Sequence, residues 1–412
     1  MQTTTVPAYG HGCFADLPAT IQHCLSGSAL PAGCGASWGD FLQRYDRVIT
    51  ILADGFGWRF FERHRQMPAS QRFIQQGKAL RWTSQFPSTT AAHITCIHTG
   101  LTPGESGVHE WQYYDPAVGS IITPLLFSFG GTTKRDLLKN LQIAPQAIYP
   151  QEETIYQSLA KAGVQSHIYG PAEFTPSTYS DWLNRGAVSY GYESIAEALT
   201  SLRIQVEQTV DPAYFYLYFP KIDSLGHTNG PNSAQFDAEI QMFLYCLEEM
   251  ILRPLTGKAK KTLLILTADH GQDTITPERC VFVNRDARFV GVERFIKRNE
   301  HGHLLVPGGS ARDMFVYIHE HLLDEAVEFF ASRLDGFATV YKTQELIDKH
   351  YFGPTAPSQR FLERVANLLI LPHEGESIWW YEEGSKGMPF WGHHGGLTPQ
   401  EMEIPVCLYG FE

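Results

Sequence analysis

A chain of 412 residues is longer than one hydrophobic core usually sustains, so a core domain carrying a sizeable insertion is expected. Its 43% hydrophobic and 18% charged residues are ordinary for a globular protein and exclude wholesale disorder. A net charge of −12 argues against a nucleic-acid polymer or an anionic membrane as the main partner, although metal can hold a phosphate locally.

The opening MQTTTVPAYGHG lacks the basic residues and apolar core of a signal peptide, and no stretch reaches the roughly 20 apolar residues of a membrane span. Residues 1–45 are mixed and predict an N-terminal arm packed on the core. From Val48 short apolar runs alternate with amphipathic segments, the pattern of an α/β fold with a parallel sheet. The runs VITILA (Val48 to Ala53), YFYLYF (Tyr214 to Phe219) and LLILTA (Leu263 to Ala268) read as buried strands. Glu152 to Ala162 predicts a helix ended by Gly163, with SHIYG following as a strand. Phe236, Ile240, Phe243, Leu247 and Ile251 recur at helical spacing over Gln235 to Leu252, with Asn232 or Ser233 as the cap, a crossover between two of the strands.

After Gln272 the pattern changes. Residues 278–375 contain a strand MFVYIH, a helix LLDEAVEFFASRL, a strand FATVY and two short helices, which predicts an α+β insertion or cap. Residues 1–277 and 376–412 then form the core, with VCLYG (Val406 to Gly410) as a last strand. The seven cysteines (Cys13, Cys24, Cys34, Cys96, Cys246, Cys280 and Cys407) are scattered, with no C-x-x-C pair. They disfavour a disulfide scaffold or cysteine-rich zinc site and fit reduced thiols in a cytoplasmic protein.

Each of the three strand runs delivers an acid at or just beyond its end: Asp54, Asp223 and Asp269. Asp223 stands four residues before His227, so on a helical start both can face one point; Asp269 is followed by His270 and a glycine that lets the backbone turn. Oxygen and nitrogen ligands together suit zinc, with manganese, iron or cobalt as substitutes. Taken singly each has a plain alternative, a turn aspartate or a capping one. In FPSTTAAHITCIHTG, Ser88, Thr89 and Thr90 precede a helical run; most such triplets only cap, but a hydroxyl at a helix start also meets free N–H groups that favour an anion. In GHHGGLTP, His393 and His394 compete as ligands.

Taken together and in order, ADGFGW, FPSTTAAHITCIHTGLTPGESGVH, YFPKIDSLGHTNGPNS, LTADHG and HHGGLTPQEMEIPV resemble the alkaline phosphatase superfamily, in its type I phosphodiesterase/nucleotide pyrophosphatase branch. The resemblance spans residues 48–410 and implies a three-layer sandwich around a central, mostly parallel sheet. It implies two divalent metal ions, zinc first and manganese as a substitute. One would be held by Asp223, His227 and His394, the other by Asp54, Asp269, His270 and the Thr90 oxygen. It favours His394, directly before the glycines, over His393, and Thr90 over Thr89 as the nucleophile that forms a phosphothreonine. The implied substrate is a small phosphate ester or nucleotide.

The family asparagine that donates to a phosphate oxygen is replaced here by Trp111, with Gln112 beside it. Trp111 is expected as a buried core residue; the alternatives are that Gln112 takes the role or that the indole shapes a leaving-group pocket. That departure keeps phosphomonoesters and phosphonates open as substrates. A catalytically dead binding protein is disfavoured because all seven positions are filled. A sulfatase is disfavoured by the lack of C-x-P-x-R or S-x-P-x-R, and an independent-type phosphoglycerate mutase by threonine where it uses serine.

Overall fold

The computed structural model describes residues 3–383 and 387–411. Its principal strands are β1 Arg47–Ala53, β2 Lys78–Thr83, β3 Gln165–Pro171, β4 Val188–Tyr192, β5 Ala213–Phe219, β6 Thr262–Thr267, β7 Gly308–Ser310, β8 Asp313–Val316, β9 Ala338–Lys342, β10 Leu368–Pro372 and β11 Glu403–Phe411. The helices that matter here are α1 Leu17–Ser26, α2 Thr90–Thr99, α3 Ile155–Lys161, α4 Lys221–Asn229, α5 Ala234–Leu247 and α6 Leu323–Arg333.

The central sheet has seven strands in the order β2-β11-β6-β1-β5-β3-β4. β1 pairs in parallel with both β5 and β6, and β3 continues the parallel run to β4; only β11 runs against its neighbours β6 and β2. Strands β1 and β6 are buried along almost their whole length, which is why they read as continuous apolar runs rather than alternating ones. Register decides the site: Ala53 lies opposite Phe219 and Leu52 opposite Thr267. The three central strands therefore end level, and the residues beyond them enter the same space.

Helices cover the sheet for local reasons. Ser233 caps α5 by accepting from the Phe236 N–H, and α5 buries Phe236, Ile240, Phe243 and Leu247. The Phe243 ring stacks on Phe219 with centroids 5.0 Å apart. The expected helix over Gln235 to Leu252 continues as a wider-wound turn at Glu248–Leu252. α3 is shorter than expected, because Thr154 caps it through the Gln157 N–H. In the N-terminal arm, α1 buries Leu17, Ile21, Cys24 and Leu25 in the main core.

Within residues 278–375, a second, antiparallel sheet runs β7-β8-β10-β9. Its side chains alternate between two hydrophobic clusters. Met314, Val316, Leu368 and Ile370 join Phe330 of α6, while Phe315, Leu369 and Leu371 join Phe86, Phe352 and Met402. The second cluster ties this sheet to the loop that leads into α2. β10 was not expected from the sequence; LLILP lies between two partners and is buried at every position. Among the described residues no helix is long and apolar enough to cross a membrane.

Candidate metal centre

Asp54 follows β1, and the chain turns at once through Gly55, whose φ of +72° favours glycine. A Cβ there would also lie 2.9 Å from the Asp223 Cα, so the glycine lets the loops after β1 and β5 touch. Asp223 and His227 sit one turn apart on α4, with Asp223 Oδ2 3.3 Å from His227 Nε2. Asp269 and His270 follow β6 directly, both fully buried. Thr90 is the first residue of α2, a helix buried on all sides, whose free N–H groups make its start suited to an anion.

Two groupings converge. Asp54, Asp269 and His270 offer ligand atoms within 4.8 Å of one another, and so do Asp223, His270 and His394. His270 Nε2 stands 3.4 Å from Asp54 Oδ1, 3.4 Å from Asp269 Oδ2 and 3.2 Å from Thr90 Oγ1. His394 Nε2 is 3.6 Å from Asp223 Oδ1, and its ring stacks on His270 with centroids 3.6 Å apart. His227 joins this second group through Asp223 and lies 5.1 Å from the His394 ring. All seven expected residues thus share one region, with His270 between the two groups. His393 is turned otherwise: its Nδ1 is engaged by the His394 backbone.

Backbone carbonyls orient the imidazoles. His270 Nδ1 faces Gly271 O at 2.9 Å, His227 Nδ1 faces Gly392 O at 2.7 Å, and His394 Nδ1 faces Ser88 O at 2.8 Å. A carbonyl only accepts, so each Nδ1 carries a proton, which leaves Nε2 as the atom able to offer a lone pair inward to a cation. The carboxylates are arranged similarly. Asp269 Oδ1 accepts from the N–H groups of Gly55 and His270, at 3.1 and 2.9 Å, while Oδ2 is buried without a partner. Asp54 Oδ2 accepts from the Tyr218 hydroxyl, and Oδ1 is buried without a partner. Buried lone pairs that meet no donor are costly, and a cation is the partner they fit.

The charges agree with that fit. Burial, then the nearby charges of Asp269 and Asp223, pushes the Asp54 carboxyl well above its ordinary range. Burial pushes the same way at Asp223, but the charge and hydrogen bond of a protonated His227, whose own pKa that carboxylate raises against its burial, outweigh it and hold the carboxyl low. Burial and the neighbouring His270 keep His394 neutral, well below the usual imidazole value.

Three positioning roles escaped the sequence reading: those of Tyr218, of Gln272, whose amide donates to Asp223, and of Ser88, read only as part of a capping triplet, whose hydroxyl donates to Gly396 O while accepting from Gly395 N–H. Tyr218 was hidden because YFYLYF reads only as apolar; no local pattern marks the other two. Trp111 corrects an expectation. It is 39% exposed rather than buried, and it lines a cavity of about 250 Å³ together with Thr90, Asp54 and Asp223. Gln112 does not line that cavity; its Oε1 lies beside Gly130.

A carboxylate–histidine cluster at the ends of parallel strands, set against a hydroxyl at a helix start, is the arrangement of the alkaline phosphatase superfamily, and the chain is a phosphoric ester hydrolase of that class. More narrowly, it belongs to the type I phosphodiesterase/nucleotide pyrophosphatase family, whose sequence model matches residues 48–397. The fold is similar to that of murine ectonucleotide pyrophosphatase/phosphodiesterase 5, at a TM-score of 0.64 and 18% identity, covering 88% of each chain. An inactive variant of that murine protein in complex with AMP superposes equally well, over 88% of this chain and 87% of that one. The human counterpart gives a TM-score of 0.63 at 17% identity, again over 88% and 87%. No curated protein sequence matches the chain.

Proposed function

We propose that the chain hydrolyses phosphodiesters or nucleotide pyrophosphates through a phosphothreonine at Thr90. Asp54, Asp269 and His270 would hold one divalent cation beside the Thr90 hydroxyl, and Asp223, His227 and His394 a second. The donor set of carboxylate oxygens and imidazole nitrogens suits zinc first and manganese next. When bound, such ions neutralise phosphoryl charge and lower the pKa of a coordinated hydroxyl. Thr90 Oγ gives up its proton and forms a bond to phosphorus in line with the departing oxygen, which leaves with the substrate's alcohol or phosphate group. Water then attacks the phosphothreonine in a second in-line step, freeing Thr90 and returning the original configuration at phosphorus. The start of α2 steadies the negative phosphoryl oxygens, and the burial of the cluster strengthens each of these interactions.

One observation carries this: Asp54 Oδ1, Asp269 Oδ2, His270 Nε2 and Thr90 Oγ1 face one another, and no donor among the described residues satisfies either carboxylate oxygen. The neighbour crystallised with AMP supports a nucleotide-sized substrate. The seven unpaired thiols support a reducing, cytoplasmic setting. The test is turnover of bis(4-nitrophenyl) phosphate before and after chelation. Activity should vanish with the metal and return at two equivalents of zinc; full activity in the metal-free chain refutes it. A second reading rests on Trp111, whose indole stands where the family has an amide. It favours phosphomonoesters or phosphonates if 4-nitrophenyl phosphate outpaces the diester.

A further inference from the structure

The cavity beside Thr90 extends away from the metal cluster, between α2 and the ends of β3 and β5, and is walled by Ile94, Leu125, Tyr169, Phe174 and Tyr216. Among the described residues its one lining cation is Arg135, from the loop after residues 128–129. The Arg135 guanidinium lies over the Phe174 ring, 4.9 Å from its centre, a contact that keeps it at the wall. Its hydrogen bond to Leu125 O is long, at 3.4 Å. No acidic group among the described residues forms an ion pair with it. Glu173 and Asp136 act on it only from farther away, and Asp136 is already paired with Lys139 at 2.9 Å. The other acids of the cavity, Asp54 and Asp223, belong to the metal cluster. A half-buried guanidinium with unused forked donors is a ready site for a carboxylate or phosphate. Tyr216 also lines the cavity; its hydroxyl is buried without a partner among the described residues and offers one more hydrogen bond.

We propose that Arg135 is an anion anchor for substrate. Besides the phosphoryl group that Thr90 attacks, the physiological substrate carries a second anionic group, a carboxylate or a phosphate, on the compact substituent that enters this cavity. A volume of about 250 Å³ suits a substituent of roughly one ring or a short chain. The inference rests on the phosphoester reading above and narrows its substrate class.

The test uses the zinc-loaded full chain and three competitive probes: phenylphosphonate, 3-carboxyphenylphosphonate and benzene-1,3-diphosphonate. At least one of the two doubly anionic probes should bind about tenfold more tightly than phenylphosphonate, as a charge-assisted forked contact permits. Which of them gains identifies carboxylate or phosphate as the anion. Arg135→Ala and Arg135→Gln should erase the ratio, and Arg135→Lys should keep part of it, with metal content and melting temperature confirming intact protein. Equal affinity for all three probes in the wild-type chain overturns the proposal, and so does a ratio that survives Arg135→Ala. If diesters lacking a second anionic group are hydrolysed while no ratio appears, the anchor fails alone. If no ester is cleaved and no phosphonate binds, the phosphoester reading fails and takes the anchor with it.

Discussion

Tyr218→Phe removes one hydroxyl and leaves the ring in place, which isolates a single contact to the metal cluster. That hydroxyl donates to Asp54 Oδ2, among the described residues the only hydrogen bond that the buried Asp54 carboxylate receives from a side chain. Losing a hydrogen bond to a buried charged group costs about 1.5–3 kcal/mol, which is roughly a 10- to 150-fold change in an equilibrium constant. Loss of a group that orients a metal ligand is independently expected to weaken metal binding by about 10- to 100-fold. The two routes agree, so the cation beside Thr90 should bind about 10- to 100-fold more weakly in the variant. Without the donor, the Asp54 carboxyl, already high through burial and its acidic neighbours, rises further. Cation binding should therefore fail at a higher pH on acidification than in the wild type. Zinc titration against a competing chelator, followed by metal counting, reads both effects. Unchanged affinity for both ions would mean that Asp54 does not hold a cation in the way described.

Thr90→Ala should lower turnover by about three orders of magnitude or more while metal content stays the same; near-normal turnover would move the nucleophile to Thr89. Asp54→Asn should stabilise the metal-free chain. The folded carboxyl has a raised pKa, so its favourable contribution is complete below the ordinary carboxylate range and is lost as pH rises through the raised value. The melting gain of the metal-free variant should then be larger at about pH 8 than at about pH 5, and a gain independent of pH would refute it. Arg312→Met should be severe. Arg312 is fully buried, 2.9 Å from Glu401 and 3.1 Å from Asp273, and its loss strands two acids at a cost of about 3–5 kcal/mol. A urea midpoint unchanged from wild type would refute that, and adding Glu401→Gln should recover part of the loss.

The fold class was legible because β1, β5 and β6 are buried enough to read as unbroken apolar runs, each with an acid beyond it. Edge strands were not. β4, VSYGY, is mostly exposed, and KALRWT of β2 is only half-buried, so neither shows the pattern of an interior strand. LLILP escaped because a short apolar run does not by itself tell strand from helix. Trp111 misled for a related reason: aromatic residues are usually interior, and only the walls assembled around it show that this one faces a cavity. The seven expected residues could be named only through the family resemblance that the order of their motifs carries, since residue type alone left Thr89 beside Thr90 and His393 beside His394. Their convergence, and the role of Tyr218, depend on register between strands more than 150 residues apart, such as Arg47 opposite Ala213. No window of sequence carries that distance.

The same register has a consequence for biosynthesis. β1 finds its partners only after Ala213–Phe219 and Thr262–Thr267 have been made, and His394 comes later still. A nascent chain lacking those segments holds Asp54 and Thr90 but cannot enclose an ion between them. The grouping of Asp54, Asp269, His270 and Thr90 is complete only after residue 270 and that of Asp223, His227 and His394 only after residue 394, so binding of both proposed ions would follow most of translation rather than guide the earlier steps of folding.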